Sequence, residues 1–501
     1  MPFIVVEDNA LLHTVPIIAI VTLLRFAFIL TLSLSRFATG DLQRRVGNIV
    51  AAADLNKGTA SVCIIDSATN IAIVEINALK SMIPASNQKL FTTGAALHVL
   101  GPRFSFKTRL FREGNNLIVV GDGDPTLGDT ELGGINDWST ERSMLQSELQ
   151  PWVDAVRKTG LKTIDTLFID DRIFDQNFIH PSWPSNQINN WYCAQIAGIN
   201  YHLNVVHFFP SPNPGTHASL GMFTPEMPWM TIGNKTTSKI GKKDSSSFWV
   251  SRTPNSNTMI ARGNVNATHS NPVKVAFHDP PLLFGNALAS ALRANGISVK
   301  SIQRVPPHSP MSQGEELYVR TTPISDALLR SNRDSHNLYA EALLKRLSAS
   351  ATQRSGTFDE GATIIEVAVS QRLGNKQRGL SIADGSGMSR DNFTSTRTLA
   401  KWLATFKLDE PTGSSFISSL ATPGNGTLEN RFKGVSLDGA TVHAKSGYLR
   451  GVCSLSGYLV FDTGKSPIIF SIIVNDIKGI VKGAKKMQEQ IVAELIRSEK
   501  N

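Results

Sequence analysis

The two ends of this chain carry matching patterns, and that most constrains how it can fold. Residues 61–65 and 71–76 are β-branched runs separated by Asp66-Ser67-Ala68-Thr69-Asn70, which reads as a β-hairpin. After a loop containing Pro84, residues 86–100 read as a helix with Leu90, Leu97 and Leu100 on one side, stopped by Gly101-Pro102. Near the C-terminus, residues 452–460 and 467–474 are apolar strands joined by Asp462-Thr463-Gly464-Lys465. Residues 481–496 follow as an amphipathic helix carrying Met487, Ile491 and Leu495. Strands at both ends with helices between them predict an α/β (α+β) fold, in which the first and last elements close one antiparallel sheet that helices cover.

Between the first helix and a second helical block at residues 323–347 the character changes. Turn signals such as Gly121-Asp122-Gly123-Asp124-Pro125, Pro181-Ser182-Trp183-Pro184 and Pro210-Ser211-Pro212-Asn213-Pro214-Gly215 alternate with short strands at 117–120 and 166–169. Residues 102–310 therefore read as a large, mostly β insert of one or two domains, and residues 41–101 and 311–501 as the two halves of a discontinuous domain. The tryptophans Trp152, Trp183, Trp191, Trp229 and Trp249 fall in the insert and read as local cores.

Residues 1–40 stand apart. The run from Ile17 to Leu34 is apolar except for Thr22, Arg25, Thr31 and Ser33, and Arg25 is costly in the middle of a bilayer-spanning helix. A signal peptide fits better, with 26–34 as its apolar core, cleaved or kept as an anchor; a buried core helix is the alternative. Glu7 and Asp8 suit such a peptide badly, as they would if the true start lay further downstream. The expected location is outside the cytoplasm, in the periplasm or cell envelope.

Composition excludes several classes. The net charge of +9 on 501 residues is spread thinly, with Lys242-Lys243 and Lys485-Lys486 as the densest spots, so no nucleic-acid partner is expected. Three well-separated cysteines, Cys63, Cys193 and Cys453, exclude a disulfide framework and a cysteine metal site. The eleven histidines include no His-Glu-x-x-His pattern, and no metal or cofactor is expected in the chemistry.

Three short motifs carry chemistry. In Pro84-Ala85-Ser86-Asn87-Gln88-Lys89-Leu90, Ser86 and Lys89 share a helix face. A desolvated lysine can take the proton of such a hydroxyl, and the N-H groups at the helix start can hold an oxyanion. Taken alone, Ser86 reads as a helix N-cap. Ser335-His336-Asn337 offers a hydroxyl to relay a proton and a carboxamide to hold an amide, or another N-cap. Lys445-Ser446-Gly447 offers a cation for a carboxylate beside a glycine that admits an extended chain, or a solvated turn lysine.

These motifs, with Gly121-Asp122-Gly123-Asp124-Pro125-Thr126-Leu127 and Asp384-Gly385-Ser386-Gly387-Met388-Ser389-Arg390, occur in an order that resembles one family over about residues 42–497. That family is the D-alanyl-D-alanine carboxypeptidases and endopeptidases, the low-molecular-mass class C penicillin-binding proteins. The resemblance implies a β-lactamase/transpeptidase-like domain interrupted by the insert, and a serine DD-peptidase acting on peptidoglycan stem peptides or their crosslinks. β-Lactam antibiotics would be its covalent inhibitors. It assigns Ser86 as nucleophile, Lys89 as general base and Ser335 as proton relay. Asn337 would hold the peptide amide and Lys445 the terminal carboxylate, with Ser446 and Gly447 beside it. The N-H groups of Ser86 and Tyr448 would form the oxyanion hole, while Asp124 and Arg390 would meet the free end of the peptide side chain; each of these two also reads as purely structural.

Four places depart from the family pattern: Ser446 for threonine, His336 for an aspartate or asparagine, Tyr448 for a small hydroxyl residue, and a loosely matching stretch from Trp191 to Val206. A β-lactamase or esterase of the same fold, and a decayed wall-binding protein, are the alternatives. Loss of a terminal D-alanine and opening of a crosslink both stay open at this point.

Overall fold

The computed structural model describes residues 40–499 apart from 133–137, 222–223, 226, 228, 242–244, 311–313 and 438. The N-terminal apolar run and Lys242-Lys243 lie outside the described residues.

Along the chain, α1 (residues 40–52) leads into the hairpin β1 (Thr59–Asp66) and β2 (Ile71–Ile76), then α2 (Gln88–Leu100). The next stretch holds β3 (Ser105–Glu113), β4 (Asn116–Val120), α3 (Glu141–Lys158), β5 (Thr163–Asp170), β6 (Val205–Phe208) and β7 (Ile232–Ser238). It continues with β8 (Trp249–Arg252), β9 (Met259–Val265), β10 (Val273–Ala276), α4 (Pro280–Ala294), β11 (Ser298–Arg304) and β12 (Glu315–Pro323). Helices α5 (Ile324–Asn332), α6 (Asn337–Thr352), α7 (Phe358–Leu373), α8 (Thr396–Ala404) and α9 (Pro411–Ser418) follow. The chain closes with β13 (Ala440–Leu449), β14 (Val452–Phe461), β15 (Ile468–Asn475) and α10 (Lys482–Ser498).

The two ends of the chain do meet in one sheet, in the order β13-β14-β15-β1-β2, with every neighbouring pair antiparallel. Its strands read as unbroken apolar runs because both faces are covered. Cys63 and Ile65 of β1 point into a core shared with α2, α6, α7 and α8, while Val62 and Ile64 point into a second core with α1 and α10. This alternation is the two-residue period of a strand, used on both sides. Helix α2 is central: Gln88 through Leu97 are all buried, so it is covered all round rather than on one stripe.

The insert has its own core and a five-stranded sheet in the order β11-β5-β4-β3-β12. β4, β5 and β11 run parallel while β3 and β12 are antiparallel, and α3 and α4 pack on this sheet of the mostly β insert. β12 comes from residues beyond 310 and pairs with β3 from Glu315↔Arg112 to Pro323↔Ser105, which carries the chain straight into α5. Of the insert tryptophans, Trp152 and Trp183 are core residues, but Trp191, Trp229 and Trp249 are exposed. Trp249 lies on the edge strand β8, where the Arg262 guanidinium covers its ring at 5.8 Å, a contact that needs no burial. The three cysteines are free and buried.

Candidate active site

Ser86 does not cap a helix. It sits in a single 3-10 turn, Ala85–Asn87, ahead of α2, and no side chain caps either element. Ala85 is held at φ +49°, the left-handed region that disfavours any residue with a Cβ. The surroundings force this turn. Ser454 Oγ donates to the Pro84 carbonyl at 2.7 Å, and Asn87 Nδ2 donates to the Lys445 carbonyl at 2.7 Å. On the other side Gly387, at φ +80°, lies so close that a Cβ there would come within 1.9 Å of the Ala85 oxygen. The serine turn is thus clamped between β13, β14 and the 384–389 loop, which holds the half-buried hydroxyl at the foot of α2.

One turn along α2, Lys89 is fully buried. Its Nζ meets Asn337 Oδ1 at 2.7 Å, the Ser386 carbonyl at 2.7 Å and Ser86 Oγ at 3.3 Å. A neutral amine has two N-H groups and one lone pair. The two close acceptors take both N-H groups, and the lone pair is left for the serine hydroxyl. Burial favours that neutral form and lowers the Lys89 pKa to about 7, against the opposing pull of the Asp384 and Glu341 carboxylates.

The 384–389 loop is itself held by those two acids, which the motifs did not single out. Glu341 Oε2 and Oε1 accept from the N-H groups of Gly385 and Ser386, each at 2.8 Å, and burial pushes the Glu341 carboxyl up to about 8. Asp384 accepts from the N-H groups of Gly387 and Ser389, from Asn392 Nδ2 and from Trp183 Nε1 at 2.7–2.8 Å. The available signal for Glu341 was its place one helical turn after Asn337, on the same face of α6.

Ser335 and Asn337 flank the start of α6, where His336 occupies the N-cap position without making a cap bond. Ser335 is at φ +61°, fixed by the His336 N-H bonding back to the Arg330 carbonyl at 3.0 Å. Its Oγ accepts from Lys445 Nζ at 2.7 Å, and the same amine donates to the Ser446 carbonyl at 2.8 Å. Burial and the neighbouring Lys89 depress the Lys445 pKa well below its ordinary value, so an incoming carboxylate would restore its charge. Asn337 Nδ2 donates to the Tyr192 carbonyl at 2.8 Å. Gly447 runs close beside the serine turn, since a Cβ there would lie 2.9 Å from Ser86 N and 2.2 Å from Ser454 Oγ. Tyr448 follows in β13, paired with Cys453, with its ring exposed. His336 packs against Trp191 and Tyr339 with ring centroids 5.4 Å away, and burial holds its pKa well below the usual imidazole range.

Ser86, Lys89, Ser335, Asn337, Lys445, Ser446 and Gly447 are therefore linked by hydrogen bonds or close contact. Asp124 does not join them. It is buried, and its carboxylate is taken by Arg320 Nη1 at 2.6 Å, Thr322 Oγ1 at 2.7 Å, and the N-H and Oγ1 of Thr126 at 2.9 and 2.8 Å. Arg320 lies on β12, and the motif containing Asp124 gave no hint of that cation. Arg390 is exposed and donates to the Arg450 carbonyl at 3.1 Å, which ties it to the turn between β13 and β14.

Comparison with known proteins agrees with this geometry. A D-alanyl-D-alanine carboxypeptidase of an Actinomadura species is 28% identical over 467 residues, 88% of this chain and 82% of the relative. The carboxypeptidase DacB of Haemophilus influenzae is 23% identical over 409 residues, 79% of this chain and 81% of the relative. The crystal structure of penicillin binding protein 4 from H. influenzae superposes with a TM-score of 0.74 at 22% identity, covering 90% of this chain and 99% of that one. It has also been solved in complex with a β-lactam. Residues 42–497 match the D-Ala-D-Ala carboxypeptidase 3 (S13) family, and this chain belongs to it.

Proposed function

We propose that this protein is an exported serine DD-peptidase that acylates Ser86 with peptidoglycan stem peptides. The observation that carries the reading is Lys89, whose two N-H groups are spent on Asn337 and Ser386 while its remaining contact is the Ser86 hydroxyl. Ser86 Oγ attacks the carbonyl of the penultimate D-alanine, and its proton passes to Lys89 Nζ. The developing oxyanion is held by the N-H groups of Ser86 and Tyr448. Lys445 receives the terminal carboxylate, and Ser335, already bonded to that amine, delivers a proton to the leaving nitrogen. Ser335 regains the proton that Lys89 took, so that the amine breaks away with both the Ser335 hydroxyl and the neutral lysine restored. Water then releases the acyl group and restores Ser86.

A β-lactam would acylate the same oxygen and leave slowly. Glu341 and Asp384 hold loop N-H groups, so neither is free to activate a deacylating water, which weighs against a β-lactamase. Opening of crosslinks is a second reading: a cleft of about 670 Å³ is lined by Asp334 and His336, the chain neighbours of Ser335, with Trp191, Lys274 and Arg333, although no candidate catalytic side chain lines it.

The test is incubation with fluorescent penicillin and with muropeptides. Wild type should become stably labelled and Ser86→Ala should not. Mass spectrometry of the digest should show loss of one alanine, or of a crosslink if the cleft takes a second stem. Equal labelling of wild type and Ser86→Ala would overturn the proposal, and fast turnover of penicillin without label would favour a lactamase.

A further inference from the structure

A second cluster of reactive side chains lies inside the insert, made by Glu141, the first residue of α3, with His202 and His207. All three are buried, and one ligand atom from each lies within 4.8 Å of the others. Glu141 Oε1 is 3.1 Å from His202 Nε2 and 2.8 Å from His207 Nδ1, with the imidazole centroids 4.5 Å apart.

Hydrogen bonds account for only part of this arrangement: Thr130 Oγ1 donates to Glu141 Oε1 at 3.2 Å, and His202 Nε2 lies within hydrogen-bond distance of the same oxygen at 3.1 Å. His202 Nδ1 is 2.9 Å from the Val205 carbonyl, a contact that requires an N-H at Nδ1. Nε2 is then the ring atom that faces the Glu141 carboxylate, as an N-H donor to Oε1 or as a ligand to a cation shared with it. Glu141 Oε2 and both nitrogens of His207 are buried and make no hydrogen bond of good geometry among the described residues, although His207 Nδ1 lies 2.8 Å from Glu141 Oε1. Unpaired buried groups of this kind are expensive.

One cation would satisfy all three. Zinc bonds of about 2.0–2.1 Å put neighbouring tetrahedral ligands about 3.3 Å apart, near the 3.1 and 2.8 Å that separate Glu141 Oε1 from His202 Nε2 and His207 Nδ1. The Nδ1-H of His202 on a backbone carbonyl is the bond that orients a metal-binding imidazole. His202, Leu203 and Asn204 are all held in the left-handed region, at φ of 51°, 55° and 57°, which fixes where the His202 ring points. The nearby amine of Lys274 is neutralised by Glu131 and lies 5.0 Å over the Trp138 ring, so it does not fill the place of the cation.

We propose that Glu141, His202 Nε2 and His207 Nδ1 bind a zinc ion that fastens the start of α3 to β6 and the segment leading into it. That segment matters to the peptidase site, since Asn204 Nδ2 holds the Gln195 carbonyl at 2.7 Å and the nearby Tyr192 carbonyl holds Asn337. The proposed role is structural, and it does not depend on the peptidase reading.

The full chain, stripped with chelator and re-incubated with zinc sulfate, would be gel-filtered and its metal content measured. About one zinc per chain is expected, together with a melting temperature that rises with zinc and falls with chelator. His202→Ala with His207→Ala should cut retained zinc about tenfold or more while fluorescent penicillin still labels the protein. If that variant fails to fold, the melting temperature and zinc content of the wild type decide the matter. Retention of no zinc by the wild type at tenfold excess, or equal retention by a folded double variant, would overturn the site and leave a hydrogen-bonded cluster only.

Discussion

Asn337 Oδ1 accepts from Lys89 Nζ at 2.7 Å across 248 positions of sequence, and this bond sets which way the amine faces. With Ser386 it consumes both N-H groups of a neutral lysine, and so directs the lone pair to Ser86. In the proposed mechanism the asparagine thereby serves the base as well as any substrate amide.

Asn337→Ala should therefore slow acylation by about 10²-fold, within the range lost when a general base is impaired. Stopped-flow labelling with fluorescent penicillin reads this directly. An unchanged rate with an intact fold would show that Ser386 alone aims the amine.

The acylation rate should climb with pH through about 7, because Lys89 is an acceptor only when neutral and its pKa is lowered to about 7. The same group affects stability. Its folded pKa lies below the unfolded one, so the folded state binds fewer protons between the two and stability rises with pH across that window. The penalty is complete below about 7 and gone above the ordinary lysine range. Lys89→Met should flatten that part of a curve of melting temperature against pH, and a retained slope would place the shifted group elsewhere.

Gly447→Ala puts a methyl 2.2 Å from Ser454 Oγ and 2.9 Å from Ser86 N. β13 must then move away from the serine turn and take the Tyr448 N-H with it. Loss of one oxyanion donor lowers rates about 10²- to 10³-fold. Labelling kinetics should show that loss with circular dichroism unchanged, and normal kinetics would remove Tyr448 from the oxyanion hole.

Arg320→Met leaves the Asp124 carboxylate buried without its cation. Breaking a buried pair costs about 3–5 kcal/mol, so a large fall in denaturation midpoint is expected. Penicillin labelling below that midpoint should survive. A stable Arg320→Met protein that cleaves stem peptides poorly would instead return Asp124 to substrate binding.

The residues of the two ends spelled out the catalytic sheet, since β1, β14 and β15 are apolar runs whose odd and even side chains face two different cores. The order of the motifs, through the family it resembles, likewise pointed to Ser86, Lys89, Ser335, Asn337 and Lys445, which the fold brings together although each block alone also had a structural reading. What local patterns could not carry was pairing across the chain. Glu341 and Asp384 look like ordinary acids until the fold turns loop N-H groups toward them, and Asp124 looks available until β12 brings Arg320 to it. The N-cap reading of Ser86 failed for the same reason, as β13, β14 and the 384–389 loop impose a left-handed Ala85 that no propensity favours. Periodicity and composition act through near neighbours and decide elements. The depressed pKa of Lys89 and the meeting of Glu141 with His202 and His207 come from burial and long-range contact, which exist only once the chain has closed on itself.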